Sequence, residues 1–189
     1  MVKDSYWFWD GVVDKKLCDY FLSNLDWEAS SPASFANSTS FVAYDIGSVD
    51  KEVRETDVIF ADELSPVTAM LHNFILYANS AAGWNFSINK FQPAQLGRYK
   101  SGGHFTWHID TAPPDADNTQ RKLSAVLLLN DGSEYEGGEL ELDVGGNQAP
   151  IKTAGSVVVF PSFVRHRVAP VISGVRYSAV CWALGPSFT

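Results

Sequence analysis

From residue 84 to the end of the chain, short segments rich in strand-forming residues follow one another, separated by Gly, Pro, Asn and Asp. The segment Glu139–Asp143 alternates polar and apolar side chains, as a half-buried strand does. Many short strands separated by turn residues predict a mostly β fold, a barrel or a jelly roll. The predicted strands are Asn85–Lys90, Ala94–Lys100, His104–Ile109, Lys122–Leu129, Glu139–Asp143, Ser156–Phe160, His166–Pro170 and Arg176–Ala183.

The region before residue 84 predicts two helices. Asp14 is placed to cap the first, ahead of apolar residues at helical spacing. Ser65 followed by Pro66 indicates the start of the second, since proline in the first helical turn loses no hydrogen bond. Gly83 is placed to end that second helix.

Between the predicted helices, residues 30–62 are polar and rich in Ser and Asn, with a strand-like piece at Phe41–Tyr44. This stretch predicts either a hairpin or a lid. The chain contains no internal repeat and no change in composition that would mark a linker. We therefore expect a single domain over residues 1–189, with helices and a variable loop in residues 1–83 and the β core in residues 84–189.

Composition narrows the classes of protein. The 189 residues are 46% hydrophobic with a formal net charge of −8, which disfavours both disorder and binding to nucleic acid. No apolar run has the length of a signal peptide or a membrane span, so we expect a cytoplasmic protein without a membrane partner. Two cysteines, Cys18 and Cys181, stand among apolar neighbours and are expected to be free core residues.

The residues with the clearest chemistry are three possible metal ligands. His108 and Asp110 are two positions apart, so in a strand their side chains point to the same face, and His166 begins a later predicted strand. Two imidazoles and one carboxylate suit Fe(II) with open positions, although zinc accepts the same donors. We expect His104 at the rim of this site and His72 packed or on the surface, neither as a ligand.

Arg176 stands at the start of an apolar predicted strand, where a buried guanidinium needs an anionic partner. A dicarboxylate cosubstrate would supply one, since guanidinium binds carboxylate in a bidentate manner. Ser178 lies on the same face and could share that carboxylate, and the Tyr99 hydroxyl seeks a hydrogen-bond partner. From these residues alone, a surface ion pair for Arg176 and plain core packing for Tyr99 stay open.

Together these features resemble the Fe(II)/2-oxoglutarate-dependent dioxygenase superfamily, and within it the prolyl 4-hydroxylase type with its bacterial and phage relatives. The resemblance covers about residues 90–186. It implies a double-stranded β-helix (jelly roll) core, packed on N-terminal supporting helices. The segments that carry it are RYKSGGHFTWHIDT, LSAVLLLND, EGGELEL, GSVVVFPSFVRHRVAPV and GVRYSAVCWALGP.

The resemblance also implies a role for each candidate residue. His108, Asp110 and His166 match the iron ligands, and Arg176 matches the residue that binds the distal carboxylate of 2-oxoglutarate. Ser178 and Tyr99 match its helpers. Related halogenases have a small residue in place of the aspartate, so Asp110 favours hydroxylation.

The implied reaction is hydroxylation with O2, with decarboxylation of 2-oxoglutarate to succinate and CO2. The implied substrate is a prolyl residue in a peptide or protein, and the implied reductant is L-ascorbate. The segment Ser34–Phe60, which includes Arg54, is where we expect the chain to close over substrate. A free amino acid or another small metabolite is an alternative substrate, and a non-catalytic metal-binding jelly-roll module is an alternative of a different class.

Overall fold

The computed structural model of the chain describes residues 4–33, 50–148 and 151–188. Within these ranges neither helix is long and apolar enough to cross a membrane. The predicted strand-like piece at Phe41–Tyr44 lies outside the described residues. The helices are α1 (Lys15–Ser23) and α2 (Pro66–Ala81).

Both helices begin, and α2 ends, as their sequences predict. The Asp14 carboxylate accepts a hydrogen bond from the backbone N–H of Lys16 at 2.7 Å, and the Ser65 hydroxyl caps α2 ahead of Pro66. Gly83 follows the last turn of α2 with a φ of +70°, a backbone conformation that glycine adopts at little cost.

The described residues form antiparallel strands that assemble into two main sheets and one separate two-stranded pair. The strands are β1 (Trp7–Trp9), β2 (Ser31–Pro32), β3 (Arg54–Glu55), β4 (Asp57–Phe60), β5 (Lys90–Phe91), β6 (Gln95–Tyr99), β7 (His104–His108), β8 (Thr119–Leu128), β9 (Tyr135–Gly137), β10 (Leu140–Asp143), β11 (Asn147–Gln148), β12 (Val157–Pro161), β13 (His166–Val168), β14 (Val171–Gly174) and β15 (Arg176–Pro186).

The larger sheet has the order β1-β12-β8-β15-β6-β4-β2, with β5 also paired to β15. The smaller sheet has the order β11-β10-β13-β7-β3, and β14 pairs with β9.

The larger sheet separates two apolar cores, because successive side chains of a strand point to opposite faces. In β15, Ala179 and Cys181 pack on the side of the helices, together with Cys18 of α1 and Leu71 of α2. On the other face, Val126 and Leu128 of β8 pack against Leu140 and Leu142 of the smaller sheet. Two antiparallel sheets facing each other, with helices behind one of them, confirm the predicted mostly β jelly-roll fold. Both cysteines are free and buried, as predicted.

The predicted strand over Asn85–Lys90 is wrong, since only Lys90–Phe91 forms a strand there. Asn85 adopts a φ of +52°, which breaks an extended backbone. The side chain of Asn79 then accepts from the backbone N–H of Phe86 and donates to its carbonyl, both at 2.9 Å. The backbone of residue 86 is thereby paired with a side chain in place of a neighbouring strand.

The other predicted strands are present with bounds shifted by up to three residues. The β core also extends into the first 83 residues, because β1, β3 and β4 pair with β12, β7 and β6. The proposed lid segment Ser34–Phe60 is accordingly corrected in part: residues 54–60 are sheet strands, while residues 34–49 lie outside the described residues. The division at residue 83 and the single domain stay predictions.

Candidate active site

The pairing of β13 with β7 brings the three predicted metal-binding side chains together. His166 is directly opposite His108 in this pair, although 57 residues lie between them in the chain. Beyond the end of β7, the backbone N–H groups of Asp110 and Thr111 both donate to the carbonyl of Ser162 at 2.9 Å. One ligand atom from each of the three side chains lies within 4.8 Å of the other two.

Hydrogen bonds orient both imidazole rings. Nδ1 of His108 lies 2.7 Å from the carbonyl oxygen of Thr106, and Nδ1 of His166 lies 2.9 Å from that of Val164. A carbonyl oxygen only accepts, so each Nδ1 carries a proton, and the Nε2 of a neutral ring is then the atom left to bind a metal. These Nε2 atoms lie 3.7 and 3.4 Å from the carboxylate oxygens of Asp110. The three donors therefore converge on one point, as a metal ion requires.

Asp110 is held in its ionised form despite being buried. Burial opposes ionisation, but the neighbouring His166 and His108, the guanidinium of Arg121 and a hydrogen bond from Ser124 together hold the pKa of this carboxyl well below its usual range. The Ser124 hydroxyl donates to Oδ2 of Asp110 at 2.7 Å, and Nη1 of Arg121 lies 4.0 Å from Oδ1. An ionised carboxylate with neutral imidazoles is the state that binds a metal.

The chemistry of this donor set fits Fe(II). Two neutral imidazoles and one carboxylate on one side leave the opposite coordination positions open for a chelating cosubstrate and O2. The aromatic ring of Phe105 stacks on His108 with 3.5 Å between ring centroids, and Phe160 contacts His166 at 4.7 Å. These rings cover the imidazoles with apolar surface, which limits the access of water to the site.

We expect the metal-free chain to lose stability as the pH falls from about 6.5 to about 4. Burial, followed by the neighbouring His166, lowers the pKa of His108 from 6.5 to about 4. In this range the unfolded chain binds a proton at His108 that the folded chain does not, so acid favours unfolding, by at most about 3 kcal/mol. In thermal unfolding of chelator-treated protein, the Tm should fall as the pH is lowered, and it should fall less in His108→Ala. An equal pH dependence in the two proteins would contradict this assignment.

Arg176 is buried, with 1% of its surface exposed, and faces the space between the two sheets. Its Nη1 donates to Oγ of Ser178 at 3.0 Å, its guanidinium lies 5.2 Å from the ring centroid of Tyr99, and its Nε has no hydrogen-bond partner. No carboxylate of the described residues lies within 4.0 Å of it. A buried guanidinium without an anion is costly, so this arrangement fits a carboxylate ligand.

Two other predictions concern the remaining histidines. His104 lies at the start of β7 with its ring nitrogens 2.9 and 3.2 Å from the carbonyl oxygens of Gly102 and Glu52, outside the group of convergent donors. His72 is half-buried on α2, and its ring stacks on Phe91 at 4.2 Å. Both positions agree with the predictions.

Sequence reasoning missed Ser124 and Arg121, which contact Asp110 from β8. Two features of the sequence could have indicated them: Ser124 is a lone hydroxyl within the apolar run of β8, and Arg121 stands two residues before the first residue of that run. A bulge aims Arg121 into the site, because Arg121 pairs with Leu184 and Leu123 with the adjacent Ala183. Such an irregularity in strand pairing cannot be predicted from the sequence alone.

Residues 94–184 match the model of a family described as the 2OG-Fe(II) oxygenase superfamily. The matched region contains the three convergent donors together with Tyr99, Arg176 and Ser178. The region 94–184 belongs to the 2OG-Fe(II) oxygenase superfamily. The resemblance found in the sequence is thereby confirmed.

Curated relatives of the chain are PKHD-type hydroxylases. One from Shewanella oneidensis is 42% identical over 96 residues, and one from Teredinibacter turnerae is 37% identical over 97 residues. Each match covers 49% of this chain and 43% of the relative. The chain thus spans less than half the length of the curated relatives that it matches.

Among the solved structures with the same fold are prolyl hydroxylases. A Pseudomonas putida prolyl 4-hydroxylase superposes with a TM-score of 0.71 at 21% identity, covering 95% of this chain and 92% of that one. The viral collagen prolyl hydroxylase of Paramecium bursaria Chlorella virus 1, solved as its 2-oxoglutarate complex, gives 0.65 at 19% identity, covering 96% and 97%. At these identities the likeness establishes the fold of this chain and not its substrate.

Proposed function

We propose that the chain is an Fe(II)- and 2-oxoglutarate-dependent hydroxylase. One observation carries the proposal: a convergent His108, Asp110 and His166 group and a buried Arg176 without a carboxylate partner face the same space between the two sheets. The first arrangement fits Fe(II), and the second fits the carboxylate of a keto acid. The family that residues 94–184 belong to, named for both groups, supports this pairing.

In this proposal His108, Asp110 and His166 hold the iron. The bound metal, with 2-oxoglutarate and O2, supplies the oxidising chemistry that converts a C–H bond to C–OH while 2-oxoglutarate is decarboxylated to succinate and CO2. The chain's own contribution is orientation. The backbone carbonyls of Thr106 and Val164 fix the imidazole protons on Nδ1, so that each Nε2 stays available.

Arg176 binds the distal carboxylate of 2-oxoglutarate, with Ser178 as its neighbour. The Ser178 hydroxyl accepts from Nη1 of Arg176, so its own proton is free to be donated to a carboxylate oxygen. Tyr99 is paired with Arg176 across β6 and β15, and its ring packs on the guanidinium. This packing limits the guanidinium to one orientation, which favours bidentate binding. L-ascorbate as reductant stays a prediction from the resemblance alone.

We expect Gly138→Ala to weaken the binding of 2-oxoglutarate through Arg176. Gly138 has a φ of +68°, and an added Cβ would lie 2.9 Å from Cγ2 of Val171 and 3.1 Å from Cδ of Arg176. The variant should show a several-fold higher KM for 2-oxoglutarate and about 1 kcal/mol lower stability. Gly145→Ala is the matched control, since its φ is also positive but no other atom lies within 4 Å of the added Cβ. An equal KM in both variants would contradict the contact with Arg176.

We propose a prolyl residue in a peptide or protein as the substrate. Prolyl hydroxylases among the structures with the same fold support this choice. One of them is a Trichoplax adhaerens prolyl hydroxylase in complex with a hypoxia-inducible-factor peptide, with a TM-score of 0.63 at 16% identity. A free amino acid is the alternative substrate. A metal-binding module without catalysis is the alternative of another class.

One experiment separates these candidates. The iron-loaded chain is incubated in air with 2-oxoglutarate and either proline-containing peptides or free L-proline, and the products are measured by mass spectrometry. The proposal predicts succinate together with a gain of one oxygen in the peptides, both dependent on 2-oxoglutarate. Oxygen gain in free proline alone would favour the small-molecule alternative. Bound iron without any succinate would favour the non-catalytic module.

A further inference from the structure

Arg54, like Arg176, has no carboxylate of the described residues within 4.0 Å. All six arginines lie in the described residues. Four of them, Arg98, Arg121, Arg165 and Arg167, lie within 4.0 Å of a carboxylate. Arg54 and Arg176 have no carboxylate within that distance among the described residues, although the chain contains 22 acidic residues. Since the arrangement around Arg176 fits a ligand carboxylate, Arg54 is a candidate to bind one as well.

The guanidinium of Arg54 is held in place by neutral groups. Its Nη2 donates to Oε1 of Gln95 at 2.8 Å, and its Cζ lies 4.7 Å from the ring centroid of Phe105. Its Nε is buried and has no hydrogen-bond partner among the described residues. The guanidinium is therefore fixed in position, no carboxylate of the described residues neutralises its charge, and the buried Nε–H is left without an acceptor. Burying such a donor without a partner costs free energy that an arriving acceptor would recover.

Arg54 lies beside the metal-binding group. It is paired with Phe105 across β3 and β7, and the ring of Phe105 stacks on His108 with 3.5 Å between centroids. The guanidinium and the imidazole therefore contact the same aromatic ring. Arg54 is also separate from the proposed 2-oxoglutarate site, because its partner Gln95 lies four residues along β6 from Tyr99, which pairs with Arg176.

Building on the proposed function, we propose that Arg54 binds a carboxylate of the primary substrate and thereby selects substrates that are anionic next to the reacting carbon. Gln95 and Phe105 hold the guanidinium in one orientation, in which its N–H groups without an acceptor among the described residues are left to bind the carboxylate. The carboxylate can be the terminal group of an amino acid or peptide, or the side chain of an acidic residue beside the proline. An isolated guanidinium matters more in a chain of net charge −8, whose overall field repels anions.

The test uses the anaerobic complex of the full chain with Fe(II) and 2-oxoglutarate, whose weak metal-to-ligand absorption in the visible responds when substrate binds. Two matched pairs of probes are titrated: N-acetyl-L-proline against N-acetyl-L-prolinamide, and acetyl-Gly-Pro-Glu-amide against acetyl-Gly-Pro-Gln-amide. One carboxylate probe should half-saturate at a concentration at least about ten-fold lower than its amide partner. The pair that shows the difference identifies the source of the carboxylate.

Variants then assign the preference to Arg54. Arg54→Met should abolish the difference within the pair, and Arg54→Lys should keep part of it. Lys51→Met removes a positive charge from an exposed side chain of the same segment and should leave the difference unchanged. The inference would be overturned if both members of each pair half-saturated at the same concentration, or if neither carboxylate probe gave a response. In either case, the presence of the absorption band would still support the proposed function.

Three further outcomes are decisive. A preference that survives in Arg54→Met would overturn the assignment to Arg54. Loss of the absorption band in Arg54→Met before any probe is added would show that Arg54 positions His108 through Phe105 and does not bind substrate. Absence of the band in the unaltered chain would overturn the proposed function and this inference with it.

Discussion

Replacing His108 with alanine is expected to remove iron from the chain and to lower the turnover of 2-oxoglutarate at least about 100-fold, since loss of a group that merely orients a ligand already costs about 10- to 100-fold. The imidazole Nε2 of His108 is one of three convergent donors, and the two donors that remain leave a pair without the geometry for tight binding. Metal content after desalting and the rate of succinate formation measure the effect.

His104→Ala is the matched control for this change. It removes an imidazole from the same strand whose ring nitrogens face the carbonyl oxygens of Gly102 and Glu52 and which is not among the convergent donors. The control should retain its iron. Circular dichroism should show both variants folded, since His108 lies at the edge of the apolar core between the sheets. Iron retained at the original stoichiometry in His108→Ala would exclude this residue as a ligand.

Replacing Arg176 with alanine is expected to raise the KM for 2-oxoglutarate by about 10- to 100-fold. A hydrogen bond to a charged group contributes about 1.5–3 kcal/mol, and Arg176 has no carboxylate of the described residues to bind in place of the cosubstrate. Arg176→Lys keeps the charge but not the planar pair of donors, so its KM should lie between that of the unaltered chain and that of Arg176→Ala. Steady-state succinate formation at varied 2-oxoglutarate measures these values.

Arg98→Ala is the matched control for the cosubstrate site. Arg98 stands one position before Tyr99 on β6, so its side chain points to the opposite face, where it binds Asp57 at 2.8 Å. Its loss should lower stability and leave the KM for 2-oxoglutarate unchanged. Since Arg176 is buried, thermal unfolding of every variant establishes that it is folded at the assay temperature. An unchanged KM in a folded Arg176→Ala protein would place the cosubstrate elsewhere.

Two of the three convergent donors could be predicted from local geometry, whereas His166 joins them through the pairing of β13 with β7. His108 and Asp110 are two residues apart, and the β period alone places them on one side. Both helix starts were equally local, since Asp14 and Ser65 cap the residues that directly follow them. Features of this kind need no knowledge of which strands pair.

What the sequence did not predict depends on long-range pairing. The segment with Arg54 was expected to close over substrate, but the pair of β3 with β7, which sets Arg54 opposite Phe105 51 positions later, was not predicted, because no periodicity in residues 30–62 indicates it. Ser124 became recognisable as a partner of Asp110 only through the packing of one sheet on the other. The false strand at Asn85 has the opposite cause, since a side chain of α2 satisfied the backbone that a neighbouring strand would otherwise bind.

The most direct test of the central claim is anaerobic absorption spectroscopy of the chain with Fe(II) and increasing 2-oxoglutarate. In the unaltered chain we expect a weak visible charge-transfer band that saturates with 2-oxoglutarate. The band should be absent in His108→Ala, and in Arg176→Ala it should require about 10- to 100-fold more 2-oxoglutarate. Full binding of iron with no band at any concentration of 2-oxoglutarate in the unaltered chain would contradict the central claim.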